Sequence, residues 1–221
     1  MIKNLSFVKK IRIVLETCMG VRRGEEVLIV GDSDNLEIAD SFALVAATLG
    51  TEVTLILMKP REIHGEEPPR VVASAMLGAD VIILLTSKSL THTKAREMAT
   101  KNGVRIASMP GINKEILEGV MVVDYLKIHE RSKTLIEKIN KASEVLLTTE
   151  KGTKLKLNIK GRNGQEDSGI FIDRGAWGNL PAGEVYCCPL EDEGEGYRYY
   201  RYGNGRDWSF IRTYPGKIRE G

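Results

Sequence analysis

The chain has little of several residue types on which common structural and catalytic sites depend. Its 221 residues include three cysteines, three histidines and one glutamine, and no histidine follows His129. Three cysteines, two of them adjacent at positions 187 and 188, cannot form a disulfide framework, so we expect a reducing, cytoplasmic compartment. No apolar run is long enough to cross a bilayer, and the N-terminus lacks the apolar core of a secretory signal. We therefore expect no membrane partner.

Several catalytic motifs are also missing. The turn "VGDSDN" has one glycine, Gly31, where a dinucleotide-binding loop needs several, so we interpret it as a polar turn that caps a helix. There is no Gly-x-Ser-x-Gly elbow, which leaves a serine hydrolase without a visible nucleophile. The histidines do not have the spacing of a helical zinc motif. They are His64, His92 and His129.

Two polar stretches have a structural and a functional interpretation. In "SLTHTKAR", Thr91 and Thr93 precede a predicted helix and could bind an anion or simply cap the helix. Cys187 and Cys188 lie in a strand-like run, and we interpret them as half-buried structure rather than as a reactive pair.

The positive charge of the chain is concentrated at its end. The net charge is +2, but the segment from Gly196 onward has five Arg, one Lys, one Asp and one Glu, so the remaining 195 residues carry −2. The body is therefore not basic, and we expect no nucleic-acid partner. Lys, Arg and Glu are abundant beside the single glutamine, a balance that indicates a thermophile.

Helical and strand patterns alternate through the first 140 residues. Apolar residues with helical spacing over 2–19 are followed by the short apolar run "EEVLIVGD", by a helical pattern over 35–50, and by further alternation. The strands are nearly continuous apolar runs, which is typical of strands that helices cover on both faces. The sequence therefore predicts an α/β fold in which a parallel sheet has helices on both faces.

The periodicity changes near residue 145. In "VLLTTEKGTKLKLNIKGR", Leu155, Leu157 and Ile159 alternate with polar residues after a turn at Lys151-Gly152, which predicts a hairpin. We therefore predict an α/β N-terminal domain over 1–143 and the start of an incomplete β-rich C-terminal domain over 144–195. Residues 196–221 are a third, atypical segment.

Four stretches resemble the aminopeptidase T-like metalloaminopeptidases, a leucyl, thermophilic family. They are "VLIVGDSDNLEIAD", "LTHTKAREMATKNGVRIASMPGI", "GTKLKLNIKGR" and "WGNLPAGEVY", in the family's order within residues 1–195. The resemblance implies removal of N-terminal residues from peptides by two divalent ions (zinc, cobalt or manganese) in a homodimer. Glu184 matches the first metal-binding glutamate of that family.

The resemblance implies further ligands that this sequence does not match. The family's metal site has a second Glu, two His and an Asp, and its catalytic tyrosine follows the matched stretch, so no catalytic residue is assigned here. One carboxylate cannot hold a two-metal site, and we expect little aminopeptidase activity. Two alternatives are a non-catalytic binding or subunit-interaction module and a relative of the iron-dependent ring-opening dioxygenases.

The segment 196–221 has a composition unlike the rest. Five of the seven tyrosines lie after Gly196, and the segment contains no Leu, Val or Ala. With suitable codons, reading the same DNA one base later gives an apolar amino-acid sequence that resembles the aminopeptidase family. We therefore interpret the segment as out of frame and expect it to form coil. The alternative is an aromatic and arginine-rich segment that stacks on single-stranded bases.

Overall fold

The computed structural model describes residues 5–121, 123–150, 152–191, 193–202 and 207–213. It divides into two compact units. The first comprises Met1–His129 and Asp167–Gly183, and the second comprises Glu130–Glu166 and Glu184–Gly221. The predicted division into 1–143, 144–195 and 196–221 stays a prediction.

Helices and strands alternate along the first part of the chain, and strands follow. The helices are α1 (Leu5–Arg12), α2 (Leu36–Thr48), α3 (Arg70–Met76), α4 (Lys94–Lys101), α5 (Lys114–Val120) and α6 (Tyr125–Lys141). The strands are β1 (Glu26–Asp32), β2 (Glu52–Met58), β3 (Val81–Leu85), β4 (Arg105–Ser108), β5 (Glu144–Thr148), β6 (Lys154–Asn158), β7 (Gln165–Asp167), β8 (Trp177–Asn179), β9 (Glu184–Tyr186), β10 (Gly194–Tyr202) and β11 (Asp207–Thr213).

The first unit is built on a parallel sheet with the strand order β2-β1-β3-β4-β8. Neighbouring residues of β1 enter different cores: Ile29 packs with α1 and α2, whereas Val30 packs with α3 and α4. Every residue of β3 is buried. A strand covered on both faces has to be apolar throughout, which explains the continuous apolar runs. The predicted α/β fold with helices on both faces is confirmed.

The second unit contains an antiparallel sheet with the order β11-β10-β6-β5 and a separate pair of strands, β7 and β9. The hairpin of β5 and β6 is formed as predicted, with Val145 opposite Leu157 and Leu147 opposite Leu155. These four side chains share one face of the sheet because alternate residues of a strand point the same way.

The expectation that the segment after Gly196 forms coil is wrong for its described part. The backbone of β10 pairs with β6 over residues 194–197 and with β11 over 196–202. Aromatic residues favour strands, and β6 offers an edge to which a strand can add. Residues 203–206 and 214–221 lie outside the described residues. The out-of-frame hypothesis concerns the DNA and stays a prediction.

None of the helices in the described part of the chain is long and apolar enough to cross a membrane.

Candidate functional site

The carboxyl edge of the parallel sheet is the first place to look for a site. β2 lies on one side of β1 and β3 on the other, so the chain reverses its direction of winding between β1 and β3. Open α/β sheets bind ligands at such a switch point, beyond the carboxyl ends of the strands. In this protein the segments that follow β1 and β3 meet there.

A buried carboxylate joins these two segments. Asp32, at the end of β1, is fully buried. Its Oδ2 accepts hydrogen bonds from the backbone N (2.6 Å) and Oγ (2.7 Å) of Ser87, and its Oδ1 accepts one from the backbone N of Asp34 (3.2 Å). Groups of the protein therefore satisfy this carboxylate, and its negative charge opposes a phosphate at the turn "VGDSDN".

A chain of polar contacts continues from the β3–α4 loop to β8. Ser89 Oγ donates to Thr91 Oγ1 (2.8 Å), and Thr91 Oγ1 donates to Asn179 Oδ1 (3.1 Å). On the other side, His64 Nδ1 accepts from the backbone N of Ser89 (3.0 Å). This polar edge unites three segments that are far apart in the sequence.

The N-terminus of α4 is capped by groups of the protein. Glu67 accepts hydrogen bonds from the backbone N of Lys94 (2.5 Å) and of Ala95 (3.2 Å). Thr93 Oγ1 accepts a third, from the backbone N of Arg96 (3.2 Å). The carboxylate also carries the negative charge that a helix N-terminus favours. Of the two interpretations of "SLTHTKAR", the geometry therefore favours capping.

A stacked pair lies beside this edge. The guanidinium of Arg96 is 3.8 Å from the centroid of the Trp177 ring, and Arg96 Nε donates to the backbone O of Thr91 (2.6 Å). Burial lowers the pKa of Arg96 from its ordinary value. Trp177 nevertheless remains 40% exposed. The sequence alone does not single out Trp177 or Asn179, although both lie in the stretch "WGNLPAGEVY".

Glu184 begins β9 and is exposed to solvent. Among the described residues, no three His, Cys, Asp or Glu side chains lie together as they would to hold a metal ion. His64 and His92 are exposed, and His129 Nδ1 lies 2.8 Å from the buried Ser168 Oγ. The described residues therefore do not fit the metal that the resemblance implies.

The environment of the two adjacent cysteines differs in part from the predicted one. Cys187 is half-buried as expected, but Cys188 is exposed, and both lie beyond the end of β9 rather than in a strand. They line a groove of about 240 Å³ together with residues 161–163, Gln165 and Tyr186. The expectation of half-buried structure is therefore wrong for Cys188.

The comparisons with known proteins concern a family and two solved structures. The model of the NicX family, 2,5-dihydroxypyridine 5,6-dioxygenase, matches residues 6–198. The structure is similar to a 2,5-dihydroxypyridine dioxygenase from Pseudomonas putida KT2440, with a TM-score of 0.72 and 16% identity over 87% of this chain and 58% of that one. It is also similar to wild-type AmpT from Thermus thermophilus, with a TM-score of 0.63 and 15% identity over 97% of this chain and 70% of that one. No curated protein matches the chain.

These comparisons carry different weight. Both structural identities are low, so the two solved structures establish the fold alone, and the aminopeptidase resemblance is supported as a likeness of fold. The chain spans 58% of the length of the dioxygenase that it matches. The family model, in contrast, covers most of the 221 residues. The chain therefore belongs to the NicX family of 2,5-dihydroxypyridine 5,6-dioxygenases.

Proposed function

We propose that the protein takes part in the oxygen-dependent opening of a hydroxylated pyridine ring. The match of the family model to residues 6–198 carries this proposal. The structural similarity to the dioxygenase from Pseudomonas putida KT2440 agrees with it at the level of the fold. The name of that neighbour makes 2,5-dihydroxypyridine the first compound to test.

Peptide hydrolysis is the second candidate function. It is supported by the quoted stretches that resemble the aminopeptidase T-like family and by the structural similarity to AmpT. At 15% identity this similarity extends to the fold and not to the reaction. Ring opening is therefore the better supported of the two proposals.

Both candidate functions call for a metal ion, which we propose is iron for ring opening. Glu184 remains the proposed ligand, because the aminopeptidase resemblance matches it. Its exposed position offers one carboxylate, and the described residues place no second or third ligand beside it. We therefore expect weak metal binding and assign no catalytic step to the ion.

Two parallel assays of the purified chain test the proposal. In the first, oxygen uptake and loss of the pyridine absorbance are followed with 2,5-dihydroxypyridine and excess Fe(II). In the second, hydrolysis of leucyl-p-nitroanilide is followed with Zn²⁺, Co²⁺ or Mn²⁺. We expect one O2 consumed for each ring opened, at a rate that rises with the Fe(II) concentration, and no hydrolysis above the metal-only blank.

Variants show whether Glu184 takes part. Glu184→Gln removes the proposed ligand, whereas Glu150→Gln changes another exposed carboxylate of the second unit and serves as the control. We expect a lower Fe(II)-dependent rate for Glu184→Gln alone. Hydrolysis without oxygen uptake would favour the aminopeptidase function, and inactivity in both assays would favour a non-catalytic module; either result overturns the proposal.

A further inference from the structure

The groove beside β9 is lined by two adjacent cysteines. Cys187 and Cys188 line it with Arg162, and its volume of about 240 Å³ lies below the range of about 300–1,000 Å³ for drug-sized ligands. All of its lining residues belong to the second unit. The groove therefore suits a small ligand that thiols can hold.

The local backbone does not hold the two cysteines on opposite faces of a strand. Successive side chains of a regular strand point to opposite faces, but β9 ends at Tyr186, before the two cysteines. Cys187 Sγ lies 3.7 Å from the backbone O of Cys188. The third thiol is unsuitable, because Cys18 is fully buried and burial raises its pKa to about 12.

The two thiols are poorly placed to form a disulfide with each other. Adjacent Cα atoms are about 3.8 Å apart across a trans peptide, whereas disulfides usually need about 4.4–6.8 Å. An atom inserted between the two sulfurs lengthens the bridge and relieves this mismatch. A ligand that joins the two sulfurs through one atom therefore suits this pair better than a direct disulfide does.

Arg162 adds positive charge to the groove. One of its terminal nitrogens pairs with Glu191, while its buried Nε has no hydrogen-bond partner among the described residues. The thiolate is the form of cysteine that attacks and binds soft ligands. Arg162 therefore has one buried nitrogen for which the described residues supply no acceptor, although its side chain as a whole is 34% exposed.

We propose that Cys187 and Cys188 form a dithiol site for a monosubstituted trivalent arsenical or a similar soft thiophile. A structural zinc ion needs about four protein ligands, whereas such an arsenical carries one organic group and needs only two sulfurs. In the reaction R–As=O + 2 R′–SH → R–As(S–R′)2 + H2O, two S–H bonds break and two As–S bonds form. The oxygen leaves as water, and no external oxidant or reductant is required.

The test uses phenylarsine oxide and the intact mass of the whole chain. We expect one phenylarsenic group per chain that survives excess 2-mercaptoethanol and is released by 2,3-dimercaptopropanol, because two thiols are needed to outcompete a bridged adduct. Cys187→Ser and Cys188→Ser should each lose the adduct in 2-mercaptoethanol. Cys18→Ala is the matched control and should retain it.

Alkylation of the wild-type chain keeps the test valid if Cys18→Ala fails to fold. Brief treatment with iodoacetamide should label positions 187 and 188 but not Cys18, and prior phenylarsine oxide should block both labels. Arg162→Gln keeps both thiols and should leave the stoichiometry of capture unchanged. A wild-type adduct that 2-mercaptoethanol removes, or a Cys188→Ser adduct as resistant as that of the wild type, would overturn the proposal.

Discussion

At the residue scale, Arg105 is a charged side chain that lies inside the first unit. It is 5% exposed, and its guanidinium pairs with Glu25 at 2.7 Å. A second nitrogen donates to the backbone O of Met19 (2.9 Å) and of Gly20 (3.0 Å). The arginine thereby links the segment before β1 to β4. Its positive charge is balanced by the Glu25 carboxylate and by the two backbone carbonyls.

Removal of this arginine should be costly. Arg105→Met leaves the Glu25 carboxylate without its cation and two carbonyls without their donor, so we expect a loss of about 3–5 kcal/mol in the free energy of unfolding. Urea denaturation followed by circular dichroism measures it. The double variant with Glu25→Leu should recover part of the loss. A single variant as stable as the wild type would show that the pair contributes nothing.

Two buried acids should make the protein sensitive to alkaline pH. Burial raises the pKa of Cys18 from 9.0 to about 12 and that of Tyr125 from 10.0 to about 12. At a pH between the ordinary and the raised pKa of each group, the unfolded chain releases a proton that the folded protein keeps. Rising pH therefore favours unfolding. The stability is therefore fully present below about pH 9 and falls as the pH approaches about 12.

The tyrosine part of this effect can be isolated. Thermal unfolding of Tyr125→Phe across pH 8 to 12 should show a smaller decline above pH 10 than the wild type does. Tyr186→Phe is the control, because Tyr186 is exposed and should leave the profile unchanged. Identical profiles for the wild type and Tyr125→Phe would contradict the expectation.

Glu184 and, separately, the residues of the polar edge show how far the sequence alone could lead. Glu184 could be singled out from a quoted stretch, but its exposure and its surroundings could not. Asn179 meets Thr91, which lies 88 positions earlier in the chain, and Trp177 meets Arg96 across a similar interval. No local spacing encodes such pairs, because they form only when β8 joins the sheet.

At the scale of elements, the long apolar strands were predictable and the short polar ones were not. β3 and the centre of β1 are continuous apolar runs, and in β6 apolar residues alternate with polar ones. β8 has only three residues, too few for a period to appear, and it is a strand because β4 pairs with it. The unusual composition after Gly196 does not indicate the pairing of β10, although tyrosine favours strands.

The contact between β10 and β6 depends on a glycine. Gly196 has φ +131°, and a Cβ there would overlap the backbone O of Lys154. Gly196→Ala should therefore disrupt this pairing, and hydrogen exchange at residues 154–157 should become faster. Gly194→Ala is the matched control on the same strand, since its Cβ would meet Leu157 at 3.4 Å and the backbone O of Lys156 at 3.9 Å, both ordinary contact distances. Equal protection in both variants would show that the pairing does not depend on Gly196.

At the scale of the whole molecule, the first unit is not continuous in the sequence. After His129 the chain enters the second unit, and residues 167–183 return to the first. The returning segment contributes β8 and the buried side chains of Phe171 and Leu180. The predicted N-terminal domain over 1–143 lacks all three.

A fragment containing residues 1–143 tests that predicted border. Without β8, Phe171 and Leu180, it leaves the open edge of β4 and part of the first core exposed. We expect it to unfold at a lower temperature than the complete chain and to bind the dye ANS. A fragment that melts as cooperatively and as high as the complete chain would support the border at 143 instead.

The return of residues 167–183 also bears on synthesis. A ribosome delivers the chain in order, and domains generally begin to fold from the N-terminus as they emerge. β1 to β4 can associate early, but β4 cannot pair with β8 until Asn179 has left the exit tunnel. During that interval the nascent sheet offers an unpaired margin to other chains, so a pause in translation before residue 167 would prolong the period in which aggregation competes with folding.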